Sequence, residues 1–185
     1  SDPSEAFIYT EDQVSNNTSE AAGAKLVGSS DPEGDSLTIS QIQSVTIDSQ
    51  PGDTSLTVAA TGDPYVFTIL NGATDVATLT IGADGSETLT QTDDTFWNSL
   101  SAGESVIIGV NYEVSDGNGG TDLSSQTITI NGANDNPSDP SEAFIYTEDQ
   151  VSNNTSEAAG AKLVGSSDPE GDSLVICQIQ SVTID

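Results

Sequence analysis

Val106-Ile107-Ile108-Gly109-Val110-Asn111-Tyr112-Glu113-Val114 is the stretch of sequence that decides the fold. Its even-numbered positions are apolar or aromatic, whereas Asn111 and Glu113 on the odd-numbered side are polar. Successive side chains of a β-strand point to opposite faces, so this alternation predicts a strand with one face in a core and the other in solvent.

The same alternation recurs along the chain, at Tyr65, Phe67 and Ile69, at Ala77, Leu79 and Ile81, and at Ile128 and Ile130. Turn-forming pairs such as Asn71-Gly72 and Asp84-Gly85 separate these runs. Many short alternating strands predict an all-β fold, an antiparallel β-sandwich of two sheets packed face to face as in immunoglobulin-like domains. The chain has more residues than a minimal domain of this kind needs. The additional residues are expected to form extra hairpins between residues 50 and 92.

Two local irregularities qualify the pattern. Leu37 and Ile39 begin a strand whose phase slips near Gln41-Ile42, which predicts a β-bulge. Residues 95–100 predict a single helical turn, with Phe96, Trp97 and Leu100 filling the core rather than contacting a ligand.

The chain also repeats itself. Residues 138–185 duplicate residues 1–48, except that Val175 replaces Thr38 and Cys177 replaces Ser40. The period predicts one complete repeat of about 137 residues, 1–137, ending in the linker Asn134-Asp135-Asn136-Pro137. Residues 138–185 are then the first strands of a second, incomplete repeat.

Composition excludes several classes of function. The chain has thirty acidic residues and two basic ones, Lys25 and Lys162. It contains no Arg and no His, and its net charge is −28. Nucleic acid is therefore excluded as a partner, anionic membrane surfaces are disfavoured, and no stretch is apolar enough to insert into a bilayer. Such a charge also typifies disorder, but these apolar residues are patterned. A folded domain of this charge needs either diffuse screening by salt or bound divalent cations.

Acidic and glycine-rich stretches supply the candidate metal site. Asp31-Pro32-Glu33-Gly34-Asp35 recurs as Asp168-Pro169-Glu170-Gly171-Asp172, and a third stretch runs from Asp116 to Asp122. Carboxylate, amide and carbonyl oxygens are the ligands that Ca²⁺ prefers, although the same residues are also common in solvated turns. In a sandwich, the loops at 31–35 and 116–122 are expected at the same end. The second copy of the first stretch is expected to face the linker.

The candidate Ca²⁺ ligands share a side-chain oxygen in or beside these stretches and the linker. They are Glu11, Asp31, Glu33, Asp35, Asp116, Asn118, Asp122, Asn134, Asp135, Asn136, Glu148, Asp168, Glu170 and Asp172.

A family resemblance appears at these residues. Residues 31–38, Asp-Pro-Glu-Gly-Asp-Ser-Leu-Thr, resemble the loop-and-strand signature of bacterial cadherin-like repeats. Residues 79–86 and 112–122, continuing into 128–135, resemble the VCBS-type repeat of large RTX-type adhesins. The resemblance implies an extracellular Ca²⁺-binding domain, many copies of which form a stalk on the bacterial cell surface. The linker departs from the cadherin pattern Asp-x-Asn-Asp-Asn, because Gly132 stands where the first Asp would be.

The leading hypothesis is a structural extender of an adhesin or extracellular filament, rigidified by Ca²⁺ at the junctions between repeats and supporting adhesion or biofilm. Its partners would be adjacent repeats or neighbouring identical chains, with a glycan or protein receptor bound elsewhere in the full protein. One alternative is a fibre subunit in which residues 138–185 complete a neighbour's sandwich; another is a Ca²⁺-dependent glycan-binding module.

Catalysis is not expected, because the chain has no His and no nucleophile motif, and Cys177 lacks a His partner. A covalent cross-link from Lys25 to an Asn would require that lysine to be buried beside the Asn and a carboxylate.

Overall fold

The computed structural model describes residues 4–21, 23–52, 54–141, 144 and 163–179. It divides into two compact units, Ser1–Asn134 and Asp135–Asp185, with the division inside the predicted linker. Among the described residues, no helix has the length and hydropathy needed to cross a membrane.

The first unit consists almost entirely of strands. In chain order these are β1 (Glu5–Thr10), β2 (Thr18–Glu20), β3 (Thr38–Ser49), β4 (Leu56–Ala60), β5 (Val66–Asn71), β6 (Thr74–Ile81), β7 (Glu87–Gln91), β8 (Ser105–Ser115) and β9 (Thr121–Asn131). Two short helices, α1 (Glu11–Ser15) and α2 (Asp94–Trp97), and a 3₁₀ turn (Ala24–Leu26) complete it.

These strands form two sheets around one core, which confirms the predicted all-β sandwich. One sheet has the order β1-β9-β8-β3, and the other has the order β2-β7-β6-β5-β4. The hairpins expected between residues 50 and 92 are β4 to β7. One pairing differs from an antiparallel sandwich, since β1 runs parallel to β9, with Glu5 opposite Gln126 and Thr10 opposite Asn131.

Strand β8 has the alternation that its sequence predicts. Val106, Ile108, Val110 and Tyr112 are fully buried, and Val114 is nearly so. Its partner β9 presents Ile128 and Ile130 to the same core. The odd-numbered Asn111 and Glu113 lie outside this core cluster. One face of the four-stranded sheet therefore packs against the core, and the other face lies outside it.

Helix α2 closes the core from one side. Trp97 is fully buried, and Phe96 and Leu100 are nearly so, which confirms their predicted packing role. The indole Nε1 of Trp97 donates to the carbonyl of Val76 on β6 at 2.8 Å, and the Phe96 ring meets it edge-on. The Asp93 carboxylate caps the helix by accepting backbone N–H groups of its first turn.

Strand β3 is irregular where its sequence predicts a bulge. Its pairing with β8 shifts register between Ile39 and Gln41, again between Ile42 and Ser44, and again between Ile47 and Ser49. The first two shifts bracket the predicted phase slip. They let Ile39 stay in the core although the strand exposes most of its other residues.

Gly132 lies directly after β9, against the turn that precedes β8. Its N–H donates to the carbonyl of Glu104 at 3.0 Å. A Cβ at this position would lie 2.7 Å from the carbonyl carbon of Leu100 and closer still to the carbonyl oxygens of Leu100 and Ser101. The departure from the cadherin linker pattern therefore has a packing reason, because no aspartate side chain fits there.

The second unit is described for 135–141, 144 and 163–179. Ser138 and Ser167 form a two-residue antiparallel bridge. Residues 175–179 lie outside any strand, although their counterparts at 38–42 in the first unit belong to β3. The difference has a physical reason: β3 is held by β8, and the described part of the second unit contains no counterpart of β8.

Candidate functional site

Two acidic loops meet at one end of the first unit. The first loop, residues 27–37, joins the 3₁₀ turn to β3, and the second, residues 116–120, joins β8 to β9. The Asn118 carboxamide donates to Asp35 Oδ2 at 2.8 Å, although the two residues are far apart in the chain. The structure therefore places the 31–35 and 116–122 stretches together, at the end of the sandwich where β8 turns into β9.

Each loop is shaped by an aspartate that binds its own backbone. Asp31 Oδ1 accepts the N–H groups of Glu33 at 2.9 Å and Asp35 at 3.2 Å. Asp116 Oδ1 accepts those of Asn118 at 2.7 Å and Gly120 at 2.9 Å. Among the described residues, Oδ2 of these two aspartates accepts no hydrogen bond. Each carboxylate thus keeps an oxygen atom available for a further ligand.

A cavity opens between the two loops. Its acidic lining comes from Asp31, Asp116 and Asp122, and its apolar lining comes from Leu37, Val114 and Pro32. Asp31 and Asp116 are half-buried, whereas Asp122 is exposed. Of the other candidates in this unit, Asp35 and Asn118 contact each other beside the cavity, and the exposed Glu33 does not line it. Carboxylate oxygens on a partly apolar cavity are suited to a cation and unsuited to an anion.

Glu11 does not belong to this cluster. It is the first residue of α1 and is fully buried. Because β1 runs parallel to β9 and Thr10 pairs with Asn131, Glu11 lies at the end of the sheet where β9 finishes. The cavity lies at the end where β9 begins. The structure therefore separates Glu11 from the aspartates of the two loops, and Asn134 is exposed near the exit of the unit.

The acidic loop of the second unit repeats the geometry of the first. Asp168 Oδ1 accepts the N–H of Asp172 at 3.1 Å, as Asp31 Oδ1 accepts that of Asp35. Gly171 and Gly34 have nearly the same positive φ, 80° and 85°, which favours glycine at this turn. The same residues thus fold alike in both copies.

The linker lies against this second loop. Glu170 Oε1 accepts the backbone N–H of Asp135 at 2.8 Å, so the contact with the linker is made by Glu170 rather than by Asp168 or Asp172. Asp135 is half-buried and Asn136 is exposed. Glu148 lies outside the described residues.

A second polar cluster, which sequence reasoning did not identify as a site, is buried inside the first unit. Lys25 is fully buried, Gln126 is 1 % exposed and Glu87 is 2 % exposed. The Lys25 ammonium donates to Glu87 Oε2, and the Gln126 carboxamide donates to the same oxygen at 2.9 Å. Burial lowers the pKa of Lys25 from its ordinary value of 10.5, although the Glu87 carboxylate acts in the opposite direction.

Aromatic residues surround this cluster. The Phe7 ring centroid lies 5.1 Å from Lys25 Nζ, and the Tyr112 hydroxyl lies 3.0 Å from the Lys25 carbonyl oxygen. Nearby, burial and a hydrogen bond to Glu20 raise the pKa of Tyr9. The available sequence signal was charge: Lys25 is the single basic residue between positions 1 and 137.

Neither a protein-family model nor a curated protein sequence matches the chain. The resemblance to cadherin-like and VCBS-type repeats therefore rests on the quoted motifs alone.

Proposed function

We propose that the chain is a section of an extracellular tandem-repeat protein in which β-sandwich units act as structural spacers stiffened by Ca²⁺. The observation that supports this most directly is the meeting of two acidic loops through the hydrogen bond between Asn118 and Asp35. Three further aspartates, Asp31, Asp116 and Asp122, line the cavity beside it.

The charge balance of the first unit favours a bound cation. Its single basic side chain, Lys25, is buried in the interior and bonded to Glu87. No lysine, arginine or histidine of residues 1–134 is therefore exposed to neutralise the acidic loops. Carboxylates gathered without a counter-charge repel one another, and a divalent cation removes that repulsion.

The donor set fits Ca²⁺ better than other common metals. All the side-chain donors are oxygens, which suit hard cations and not the sulfur- and nitrogen-preferring transition metals. In the first unit, Asp31, Asp35, Asp116, Asn118 and Asp122 would hold the ion. In the second unit, Asp168, Asp172, Glu170 and the linker residue Asp135 offer a comparable set.

Ca²⁺ would contribute substantially to the stability of each unit. A ligand that binds only the folded state at a hundredfold excess over its Kd stabilises it by about 2.7 kcal/mol. Typical domains are stable by roughly 5–15 kcal/mol, so a single site is a large fraction of the total. A string of such units would lengthen a surface-attached adhesin in calcium-rich surroundings, with adjacent repeats as partners.

Thermal unfolding with Ca²⁺, Mg²⁺ or a chelator tests the proposal. We expect Ca²⁺ to raise the melting temperature, and Asp116→Asn to remove most of that increase while keeping the Oδ1 acceptor of the turn. Asp63→Asn is the matched control, because Asp63 Oδ1 accepts the N–H of Tyr65 at 2.9 Å in a similar turn outside the cluster. An equal calcium response in both variants, or none in the wild type, would contradict the proposal.

A second candidate function is self-assembly by strand exchange, favoured by exposed apolar residues in the second unit. Val175 is 78 % exposed, Ile176 53 % and Ile179 74 %, whereas Ile39, the first-unit counterpart of Ile176, is 1 % exposed. This segment has most of the sequence of β3 without its pairing, so its suitable partner is β8 of another chain, where it would take the place of that chain's own β3. Light scattering over a concentration series tests it: oligomers should form, and Ile176→Thr with Ile179→Thr should abolish them. A monomeric wild type at all concentrations would exclude this candidate.

A further inference from the structure

The buried cluster of Lys25, Glu87 and Gln126 connects three separate parts of the first unit. Lys25 lies in the 3₁₀ turn, Glu87 begins β7 of the five-stranded sheet, and Gln126 lies on β9 of the four-stranded sheet. All three side chains are at most 2 % exposed. The cluster therefore spans the space between the two sheets.

The arrangement brings an amine and a carboxamide to one carboxylate oxygen. Glu87 Oε2 accepts from both Lys25 Nζ and Gln126 Nε2, so the two nitrogen atoms are neighbours on a shared acceptor. Among the described residues, Gln126 Oε1 and Glu87 Oε1 have no hydrogen-bond partner although both atoms are buried. Buried polar atoms are normally paired, so these exceptions call for an explanation.

The surroundings favour a neutral amine. Burial lowers the pKa of Lys25, and the Phe7 ring and the sandwich interior exclude water from it. A neutral lysine amine is a nucleophile, and an adjacent carboxyl group can carry protons to and from it. Groups held as neighbours react with effective molarities as high as about 10⁸ M.

We propose that Lys25 and Gln126 become joined by an isopeptide bond, with Glu87 as the proton carrier. Lys25 first passes one ammonium proton to Glu87. Its Nζ then forms a bond to Cδ of Gln126, and the bond from Cδ to Nε2 breaks. Glu87 delivers its proton to the departing Nε2 and receives the second proton that Nζ releases.

The atoms and charges balance without any co-reactant. Of the five protons on Lys25 Nζ and Gln126 Nε2, one remains on the new amide and three leave as ammonia. The fifth is held by Glu87 or leaves with the ammonia as ammonium. No oxidation or reduction occurs, and the buried ion pair is replaced by a neutral amide.

Trypsin provides a sharp test on the full 185-residue chain, because Lys25 and Lys162 are its two cleavage sites. An unmodified chain, denatured and digested, gives peptides 1–25, 26–162 and 163–185. An acylated Lys25 resists trypsin, so we expect 1–162 and 163–185, with the first lighter by about 17 Da, the mass of ammonia. Cleavage at Lys162 is the internal control for protease activity.

Two variants keep the test decisive. Gln126→Met retains the pair of Lys25 and Glu87 but removes the carboxamide, so it should restore cleavage after Lys25. Glu87→Gln removes the proton carrier and should do the same. Tandem mass spectrometry of the 1–162 peptide should show fragments joining Lys25 to Gln126.

Complete cleavage at Lys25 with the unmodified mass in the wild type would overturn the proposal and leave a non-covalent ion pair. A loss of about 18 Da, with fragments joining Lys25 to Glu87, would overturn it as well, since water rather than ammonia would have left. Neither result depends on calcium, so the spacer proposal is tested separately.

Discussion

Replacement of Gly132 by alanine is the most direct test of how the first unit ends. The new Cβ would lie 2.7 Å from the carbonyl carbon of Leu100. The obstacle is backbone, so no side-chain rotation relieves it. The facing turn is itself held by hydrogen bonds between Ser101 and Glu104, and the carbonyl of Glu104 accepts the N–H of Gly132.

The expected loss of stability is at the upper end of the range for overpacking. Inserting one methyl group into a packed site costs typically about 1–3 kcal/mol, and about 3 kcal/mol in a unit of this size lowers the melting temperature by roughly 10 °C. Circular dichroism or the fluorescence of the buried Trp97 measures the transition. The same carbonyl groups exclude an aspartate at this position.

Gly62→Ala is the matched control for this substitution. Nothing lies within 4 Å of a Cβ at Gly62, and its φ lies outside the left-handed region. We expect a change in stability within about 0.5 kcal/mol for the control. Equal melting temperatures for the two variants would refute the packing explanation of Gly132.

Three further outcomes are expected. Trp97→Phe leaves a cavity and removes one of the two hydrogen bonds to the Val76 carbonyl, which the N–H of Thr92 still contacts. Urea denaturation should therefore show a loss of about 2–4 kcal/mol, and a loss below about 1 kcal/mol would contradict the packing described. Asp93→Ala removes the cap of α2 and should cost about 1 kcal/mol by the same measurement, whereas Asp93→Asn should cost little. Hydrogen bonds from Ser86 hold the pKa of Asp84 below its ordinary value of 3.8. The stability from this pair is therefore present above pH 3.8 and lost as the pH falls through the folded-state pKa. The difference in melting temperature between wild type and Ser86→Ala should shrink in acid; a constant difference would contradict the linkage.

Much of the sandwich could be predicted from periodicity alone. The alternation in residues 106–114 reflects a strand that is buried on one face, and β8 has that burial pattern. The irregularity of β3 could be predicted from the sequence, because a bulge moves the apolar residues from odd-numbered to even-numbered positions or back along the strand. Trp97 was assigned to the core because a large aromatic beside two other apolar residues has few alternatives in a chain with so little hydrophobic surface.

The parts that were not predicted depend on contacts between distant segments. Helix α1 is too short to show an amphipathic stripe, and the parallel pairing of β1 depends on where β9 lies. The two acidic loops could be expected at one end, because sandwich topology fixes which loops are neighbours. Periodicity could not predict that Glu11 lies at the opposite end, since that follows from the direction of β1.

The burial of Lys25 was also beyond sequence patterns. A lysine between Ala24 and Leu26 is read as a solvent-exposed turn residue by default. Its partners Glu87 and Gln126 lie far along the chain, each within an otherwise ordinary strand. Only the packed sandwich brings the three together, so sequence reasoning could state what a cross-link at Lys25 requires without identifying Glu87 and Gln126 as its neighbours.

The parallel pairing of β1 with β9 has a mechanical consequence. The chain enters the first unit through β1 and leaves it through β9, and the two strands lie side by side in one sheet. Tension applied to the two ends therefore pulls these strands in opposite directions along their length. Their ladder is loaded in shear, so its hydrogen bonds must rupture together rather than unzip one at a time. A single-molecule stretching experiment should record one high rupture force; sequential rupture at low force would contradict this geometry.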